Sequence, residues 1–362
     1  MTYLDYQATT PLAPEALAAM LPWLERQHAN PHSAHREGRA ARAAVEVARD
    51  AVAALLPPGG TVSFTSGATE SLNWAIKGST GPIVSVATEH AAVLDTVAAS
   101  GRAATLLPVD AAGLVAAATP VAPGTGLVAA MLVNNEIGVI QPIAELAAAA
   151  HRAGALFLCD AVQGYGRVAI PPECDLIAIS AHKIHGPKGI GALWIRDGVT
   201  LAPLLHGGGQ EAAGRSGTLS PALCASFGAA AMLMAARADE DEAHVTQLWQ
   251  IATERLGVDG GEGEWQLNGA ADRRYRGNLN VRRRGLDVAR LMSDCRTLAF
   301  SAGSACASGS GRPSHVLRAL GLSDAEARSS IRLGFGRYTG ANELRGALDQ
   351  LIAAADRQRL PV

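Results

Sequence analysis

The sequence predicts an α/β fold: a mainly parallel β-sheet covered by helices, followed by a smaller α+β region. Three observations predict it. From about residue 60 to 200, short apolar runs alternate with helical stretches. The runs are partly β-branched and bounded by turn residues, as strands buried on both faces are. After about residue 238 the texture shifts to charged amphipathic segments and glycine-rich turns. A chain of 362 residues also exceeds what one simple core holds, so two domains are expected. The expected division is 13–238 for the large domain, and 1–12 with 239–362 for the small one.

The strands of the first region are read, in order, as TVSF (61–64), IVSV (83–86), GLVAAMLV (126–133), ALFLCD (155–160), DLIAIS (175–180) and GALWIR (191–196). Helices lie between them. The clearest begins near Pro142 and ends before Gly154, with proline in its first turn and glycine past its end. In the second region, RADEDEAHVTQLWQ reads as a charged amphipathic helix and GVDGGEGEW as a turn. NLNVRRRGLDVARLMSD reads as strand, turn and helix, and SSIRLGFGR as a strand before a last helix.

Composition narrows the function. The formal net charge is -2 and the pI near 6.6, so neither nucleic acid nor an anionic membrane is expected as the main partner. No apolar run is long enough to span a bilayer, and MTYLDYQATT lacks the regions of a signal peptide. The cysteines are Cys159, Cys174, Cys224, Cys295 and Cys306. Their odd number and their spacing match no zinc pattern, so no metal site is expected. A reducing cytoplasm fits free thiols. Only three lysines occur, Lys77, Lys183 and Lys188, so chemistry that needs an amine has three candidates.

In an open parallel sheet, ligands bind outside the carboxyl ends of the strands. FTSGATES (64–71) leaves a strand, turns on Gly67 and enters a helix at about Thr69. Such a helix start is either an anion site or an ordinary N-cap. His90 follows the next strand, Asn134 and Asn135 the one after, and Asp160 with Gln163 the next. Ser180, His182 and Lys183 follow yet another. Singly, each has a structural explanation in turns and caps. Five strand ends in one sheet, all polar, build a pocket with an anion hole, a carboxylate, an amine and an imidazole.

Pyridoxal phosphate needs this set: a lysine for the Schiff base, a carboxylate to keep the pyridine nitrogen protonated, and a phosphate site. Lys77 lies near a helix end and Lys188 in the turn GPKG, whereas Lys183 directly follows a strand. Asp160 ends an apolar strand, where a charge needs a partner. An N-cap is its alternative role. Cys306 is set apart by its surroundings, SAGSACASGSG (301–311). Glycine and serine there cannot pack a core, and they suit a thiol that moves and stays near water.

With these residues in hand, the chain resembles the class V pyridoxal-phosphate-dependent cysteine desulfurases, enzymes of the fold-type I transferase class. The likeness runs from YLDYQATTP through FTSGATES, TEHAAVLDT, VNNEIGVIQ, DAVQ and AHKIHGPKGIGALW. It continues through HGGGQEAAGRSGTLS, SAGSACASGS, SHVLRALGL and SSIRLGFGR. The resemblance implies that Lys183 carries the cofactor, Asp160 pairs with its pyridinium nitrogen, and His90 stacks on the ring and handles protons. Asn135 and Gln163 would lie near the phenolic oxygen, and Ala68, Thr69, Ser180 and His182 would form the phosphate site. Thr218 would reach the phosphate in the neighbouring subunit, which implies a homodimer. Arg332 would bind the carboxylate of L-cysteine, and Asn30, with Asn135, would line the substrate cleft. Cys306, on a mobile loop at about 301–313, would take the substrate sulfur as a persulfide and leave alanine. The sulfur would pass to an acceptor protein, either an iron–sulfur scaffold or a tRNA-modifying enzyme. Whether Cys306 also ligates a cluster shared with a scaffold is left open.

The sequence departs from the family pattern in places. Ala181 stands where many members have glycine before the His-Lys pair. The chain ends at RQRLPV, without the longer tail that docks a scaffold in some members, which weighs against that partner. The Cys306 loop has the longer form of the group that serves scaffolds and tRNA enzymes. The competing readings are an aminotransferase or selenocysteine/cysteine lyase of the same fold, which would not need Cys306, and an inactive homologue acting as a binding partner.

Overall fold

The computed structural model describes residues 1–212, 214–258, 263–303 and 313–358. The chain opens with β1 (Thr2–Tyr3), α1 (Pro14–Glu25), α2 (Arg36–Ala53), β2 (Gly60–Thr65) and α3 (Ala68–Gly78). It continues with β3 (Ile83–Val86), α4 (Ala91–Ala99), β4 (Ala104–Leu107), β5 (Leu127–Met131), α5 (Ile143–Arg152), β6 (Leu156–Asp160) and β7 (Leu176–Ser180). A 3-10 turn, Ala181–Lys183, leads to β8 (Gly191–Arg196) and α6 (Pro221–Ala236).

Seven of these strands form one sheet in the order β2-β8-β7-β6-β5-β3-β4. β8 is antiparallel to both its neighbours, and the remaining pairs are parallel. Six strands therefore point one way, and the carboxyl ends of β2, β3, β5, β6 and β7 share one edge of the sheet. All six strands read from the sequence are present. β4 was not read, because Ala104, Thr105 and Leu106 are exposed at the sheet edge and the local pattern lacks a buried apolar run.

Alternation along the strands feeds two cores. Val128, Ala130, Phe157 and Ile177 face α1, α2, α5 and α6. Leu127, Ala129, Leu158 and Leu176 face α3 and α4. Burying each large apolar side chain contributes roughly 1.5–3 kcal/mol. α2 and α6 approach closely at Gly228, where a methyl group would lie 2.8 Å from the Ala48 Cα. Among the described residues no single helix is long and apolar enough to cross a membrane.

The rest of the chain adds α7 (Ala238–Leu256), β9 (Trp265–Leu267), β10 (Asn278–Arg283), α8 (Val288–Asp294), β11 (Leu298–Ala299) and β12 (Ser301–Ala302). α9 (His315–Ala319), α10 (Asp324–Arg328), β13 (Ser330–Gly334) and α11 (Ala341–Arg357) complete it. β12-β13-β10-β9 form an antiparallel sheet, packed on α7, α8 and α11 in a separate core that also takes in Leu4. β1 pairs with β11, and Asp5 bridges to Gly334. The first residues of the chain therefore belong to this second body, and they run from it to the edge of the large sheet.

Candidate active site

The shared carboxyl edge of the large sheet opens into a cavity of about 560 Å³. Each strand end supplies a polar group to its wall: Thr69 after β2, His90 after β3, Asn135 after β5, Asp160 and Gln163 from β6, and Ser180, His182 and Lys183 from β7. The second body adds Arg332 from β13. Residues read separately from the sequence thus meet around one space, as the strand-end rule requires.

Lys183 closes the 3-10 turn after β7. Its Nζ donates to the carbonyls of Gln7 at 2.5 Å and Ala8 at 2.7 Å. Burial lowers its pKa to about 8, and the charges of Arg332 and Arg167 push the same way. Arg167 also donates to the Lys183 carbonyl. Of the other lysines, Lys77 is exposed at the end of α3 and Lys188 is exposed at the cavity rim.

Asp160 ends β6, and its Oδ1 accepts from the Val162 N–H at 3.0 Å. No helix begins there, so the N-cap alternative is excluded. Burial raises its carboxyl pKa, against the Val162 N–H, His90 and Lys183. His90 is the N-cap of α4, with Nδ1 accepting from the Ala92 N–H at 3.0 Å. In the neutral ring the proton therefore sits on Nε2. Burial keeps that ring neutral by lowering its pKa; Asp160 opposes the effect and Lys183 adds to it.

At the start of α3, the first-turn N–H groups have no intrahelical acceptors, and the cap residue Gly67 offers no side chain. Ala68, Thr69, Ser180 and His182 surround this end of the cavity. Gly191 of β8 passes close behind it: a methyl there would lie 2.5 Å from the Ile179 carbonyl oxygen and 2.8 Å from the Gly67 carbonyl carbon. Glu70, in the same first turn, is turned aside. It binds Arg215 at 2.8 Å and accepts from the Ser66 N–H at 2.7 Å. Burial alone would raise its pKa, and these contacts outweigh burial to lower it. His182 is held near pKa 4 by burial first, then by Lys183 and Lys188. It thus faces the anion end as a neutral ring, with Nδ1 3.1 Å from Thr9 Oγ1.

Arg332 is 1% exposed and sits in a triangle. Its Nη2 donates to Asp5 Oδ1 at 2.7 Å and to Ser301 Oγ at 3.2 Å, and Ser301 Oγ lies 2.8 Å from Asp5 Oδ1. Its Nη1 donates to the Asn135 carbonyl at 3.0 Å. Sequence reasoning missed Asp5 and Gln7, whose partners lie more than 170 residues away. It also missed Glu89, which looks like a surface residue in TEH but is fully buried. Its Oε1 accepts from the Met131 N–H at 2.6 Å, and burial beside Asp160 raises its pKa well above that of an ordinary carboxyl.

Two expected site residues do not reach this cavity. Asn30 is exposed and closes its own turn, accepting from the His32 N–H at 2.8 Å. Thr218 is exposed in the segment before α6. Cys306 lies outside the described residues. On one flank, Gly303 N–H donates to the Ser330 carbonyl at 2.7 Å. On the other, Ser314 Oγ donates to Glu136 at 2.5 Å and His315 Nε2 contacts the Glu89 carbonyl at 2.9 Å. The remaining cysteines are buried free thiols. Cys159 is in β6 and Cys224 in α6, whereas Cys174 and Cys295 lie just outside elements, before β7 and after α8.

Comparison with known proteins gives a consistent picture. Residues 2–346 match the family Aminotransferase class-V. The cysteine desulfurase IscS of Rickettsia akari (strain Hartford) is 41% identical over 377 aligned positions, covering 99% of this chain and 92% of that protein. Its counterpart in Rickettsia bellii (strain OSU 85-389) is equally similar, at 41% with the same coverage. Among solved structures, a NifS-like protein superposes with a TM-score of 0.89 at 29% identity, covering 99% of this chain and all of that one. SspA, solved in complex with cysteine, gives 0.80 at 35% identity over 94% of this chain and 100% of its own. Likeness of this extent spans both bodies and every strand end that lines the cavity, and on that ground the chain belongs to the cysteine desulfurases of the class-V aminotransferase family.

Proposed function

We propose that this chain is a cysteine desulfurase in which Lys183 holds pyridoxal phosphate, Arg332 receives the carboxylate of L-cysteine, and Cys306 takes the sulfur as a persulfide. The observation that carries this reading is the meeting of Lys183, Asp160, His90 and Arg332 around one cavity. SspA, a relative solved with cysteine bound, supports the choice of substrate.

The residues present fit the cofactor. Asp160 is a buried carboxyl with a raised pKa and a single backbone donor, and a ring N–H⁺ would supply the missing partner. Gln163 Oε1 is buried without a partner among the described residues, while its Nε2 donates to the Gln7 carbonyl at 2.9 Å. The uncapped start of α3, with Ser180 beside it, suits a phosphate. Lys183, with a pKa near 8, is partly neutral at working pH and able to bond a carbonyl carbon. When bound, pyridoxal phosphate supplies an electron sink for the carbon left when the substrate Cα loses its proton.

The chain's own groups do the rest. Arg332 fixes the substrate through its carboxylate, a planar fork on a planar anion. With cofactor and substrate in the cavity, the Lys183 amine would be the base that takes the Cα proton. His90, neutral with its proton on Nε2, passes protons at the substrate face. The Cys306 thiolate then attacks the substrate sulfur. The new S–S bond forms as the substrate C–S bond breaks, and the electron pair left on carbon takes a proton. In balance, L-cysteine and the Cys306 thiol give L-alanine and a Cys306 persulfide. Cys306 follows Gly303 by three residues, at most about 11 Å of extended chain; the described flanks of its segment are tied to Ser330, two residues before Arg332, and to Glu89, next to His90.

The two cores act as a large domain, 13–238, and a small domain, 1–12 with 239–362, that brings Arg332 and Cys306 to the cofactor. Thr218, exposed on one chain, completes the phosphate site of a partner in a homodimer. The persulfide passes its outer sulfur to an acceptor protein, an iron–sulfur scaffold or a tRNA-modifying enzyme. A reducing cytoplasm keeps the described cysteines free, as they are here.

Cys306→Ser tests the reading. A hydroxyl is not ionised at neutral pH, so the variant should stay yellow and change its spectrum with L-cysteine. It should then release no alanine and carry no persulfide. Alanine formed at the wild-type rate would make a lyase of the same fold the correct reading.

A further inference from the structure

A second cavity, of about 340 Å³, lies in the seam between the two cores. The large body lines it with Arg167 and His185, and the small body with the start of α7, Arg274 and Arg337. Its depth is cationic. Arg274 is 6% exposed and has no carboxylate partner among the described residues. Its Nη1 donates to the Ala270 carbonyl at 2.9 Å, and its Nη2 to those of Ile137 at 2.6 Å and Asn278 at 3.1 Å. Its Nε has no partner, and its guanidinium lies 4.7 Å over the Trp249 ring.

Arg167 resembles Arg274 in this respect. It donates to the carbonyls of Gln163 and Lys183 and lies 5.2 Å over Tyr275. Arg337 does pair with a carboxylate, Asp241 at 3.0 Å, yet its Nη1 is buried and unpartnered. The other acids of the cavity, Glu242 and Asp272, are exposed at its rim, with Arg276 beside them. Burial lowers the Arg274 pKa to about 9, so the group stays cationic at neutral pH. Enclosed positive charge thus exceeds negative charge, and buried charge without a counter-ion is costly. The volume falls within the roughly 300–1,000 Å³ of small-molecule sites.

We propose that this seam is a second ligand site, for a small dianion such as a dicarboxylate or a phosphate, and that its occupancy is felt at Lys183 through Arg167. Arg167 lines the seam and also holds the Lys183 carbonyl. An anion beside it offsets part of the positive field around the lysine and favours the protonated form. The binding claim stands on the seam alone, whereas the coupling rests on the reading of Lys183 as the cofactor lysine.

Holoenzyme, with the first cavity filled by cofactor, is titrated calorimetrically with inorganic phosphate and with succinate, ionic strength being held constant with chloride. Cofactor absorbance is recorded against pH in parallel. Saturable binding of at least one anion is expected, with the absorbance titration displaced to higher pH; which anion binds tells phosphate from dicarboxylate. Arg276→Gln should weaken binding about two- to fivefold and Asp272→Asn should tighten it by about as much, as single rim charges do. Both positions are exposed and outside the catalytic cavity, so alanine release without anion should be unchanged. No saturable binding beyond the chloride control, or equal constants in all three proteins, overturns the site. Variant-sensitive binding that leaves the absorbance titration unmoved overturns the coupling. Borohydride labelling away from Lys183 would instead strike the functional reading and leave the calorimetry standing.

Discussion

Arg332→Lys tests the substrate site most directly. The change keeps the positive charge and removes the planar fork. The wild-type guanidinium reaches Asp5 at 2.7 Å, Ser301 at 3.2 Å and the Asn135 carbonyl at 3.0 Å, and it still presents an edge to the cavity. One ammonium nitrogen has three donors on a single centre and cannot serve these acceptors and a carboxylate together. A hydrogen bond to a charged group contributes about 1.5–3 kcal/mol. Losing one arm of the fork should therefore lower kcat/KM roughly 10- to 150-fold. Arg332→Ala removes the charge as well. At about 2–5 kcal/mol for a truncated buried charge pair, the loss becomes roughly 30- to 5,000-fold. The contact is made in ground state and transition state alike, so most of the change should appear in KM. Alanine release is followed over a range of L-cysteine concentrations, with cofactor absorbance and thermal melting as controls for folding. If both variants keep the wild-type kcat/KM, the substrate carboxylate is held elsewhere and the argument from Arg332 fails.

Other outcomes follow from the same geometry. Borohydride should fix a pyridoxyl group on Lys183, and Lys183→Ala should abolish turnover while retaining some cofactor through the phosphate site; label on Lys77 or Lys188 would refute the assignment. Cofactor uptake by apoprotein requires the neutral amine, so its rate should rise with pH and level off above about 8. A rate still climbing steadily towards 10.5, the ordinary value for lysine, would show that burial does not lower this amine. Light scattering under assay conditions should find a dimer, and Thr218→Ala should weaken cofactor retention; a fully active monomer would contradict a site completed by a partner's Thr218.

Much of the fold could be read locally. IVSV, LVAAM and LIAIS are strands because both their faces are buried, and continuous apolar runs signal that without any knowledge of neighbours. The polar residues at their ends were equally legible: a charge that ends an apolar strand, such as Asp160, needs a partner wherever the strand lies. Lys183 could be singled out because the chain has so few lysines. β4 escaped because an edge strand with exposed alanine and threonine carries no burial signal. The opposed direction of β8 escaped because a strand's own sequence does not record which way its neighbours run.

Only the tertiary structure decided which distant groups complete the site. Asp5 and Gln7 look like the start of a strand-and-turn segment, yet pairing of β1 with β11 and the bridge from Asp5 to Gly334 carry them to Arg332 and Lys183. Nothing in TEH marks Glu89 as buried; the Met131 N–H at the end of β5, from which its carboxyl accepts, comes from a strand more than 40 residues on. Asn30, on this single chain, is exposed and accepts from the His32 N–H in its own turn. Periodicity and propensity act over a few residues and fix what each segment becomes. Contacts across more than 170 positions depend on how segments stack, and that is settled only when the two cores close on each other and set Arg332 beside the strand ends.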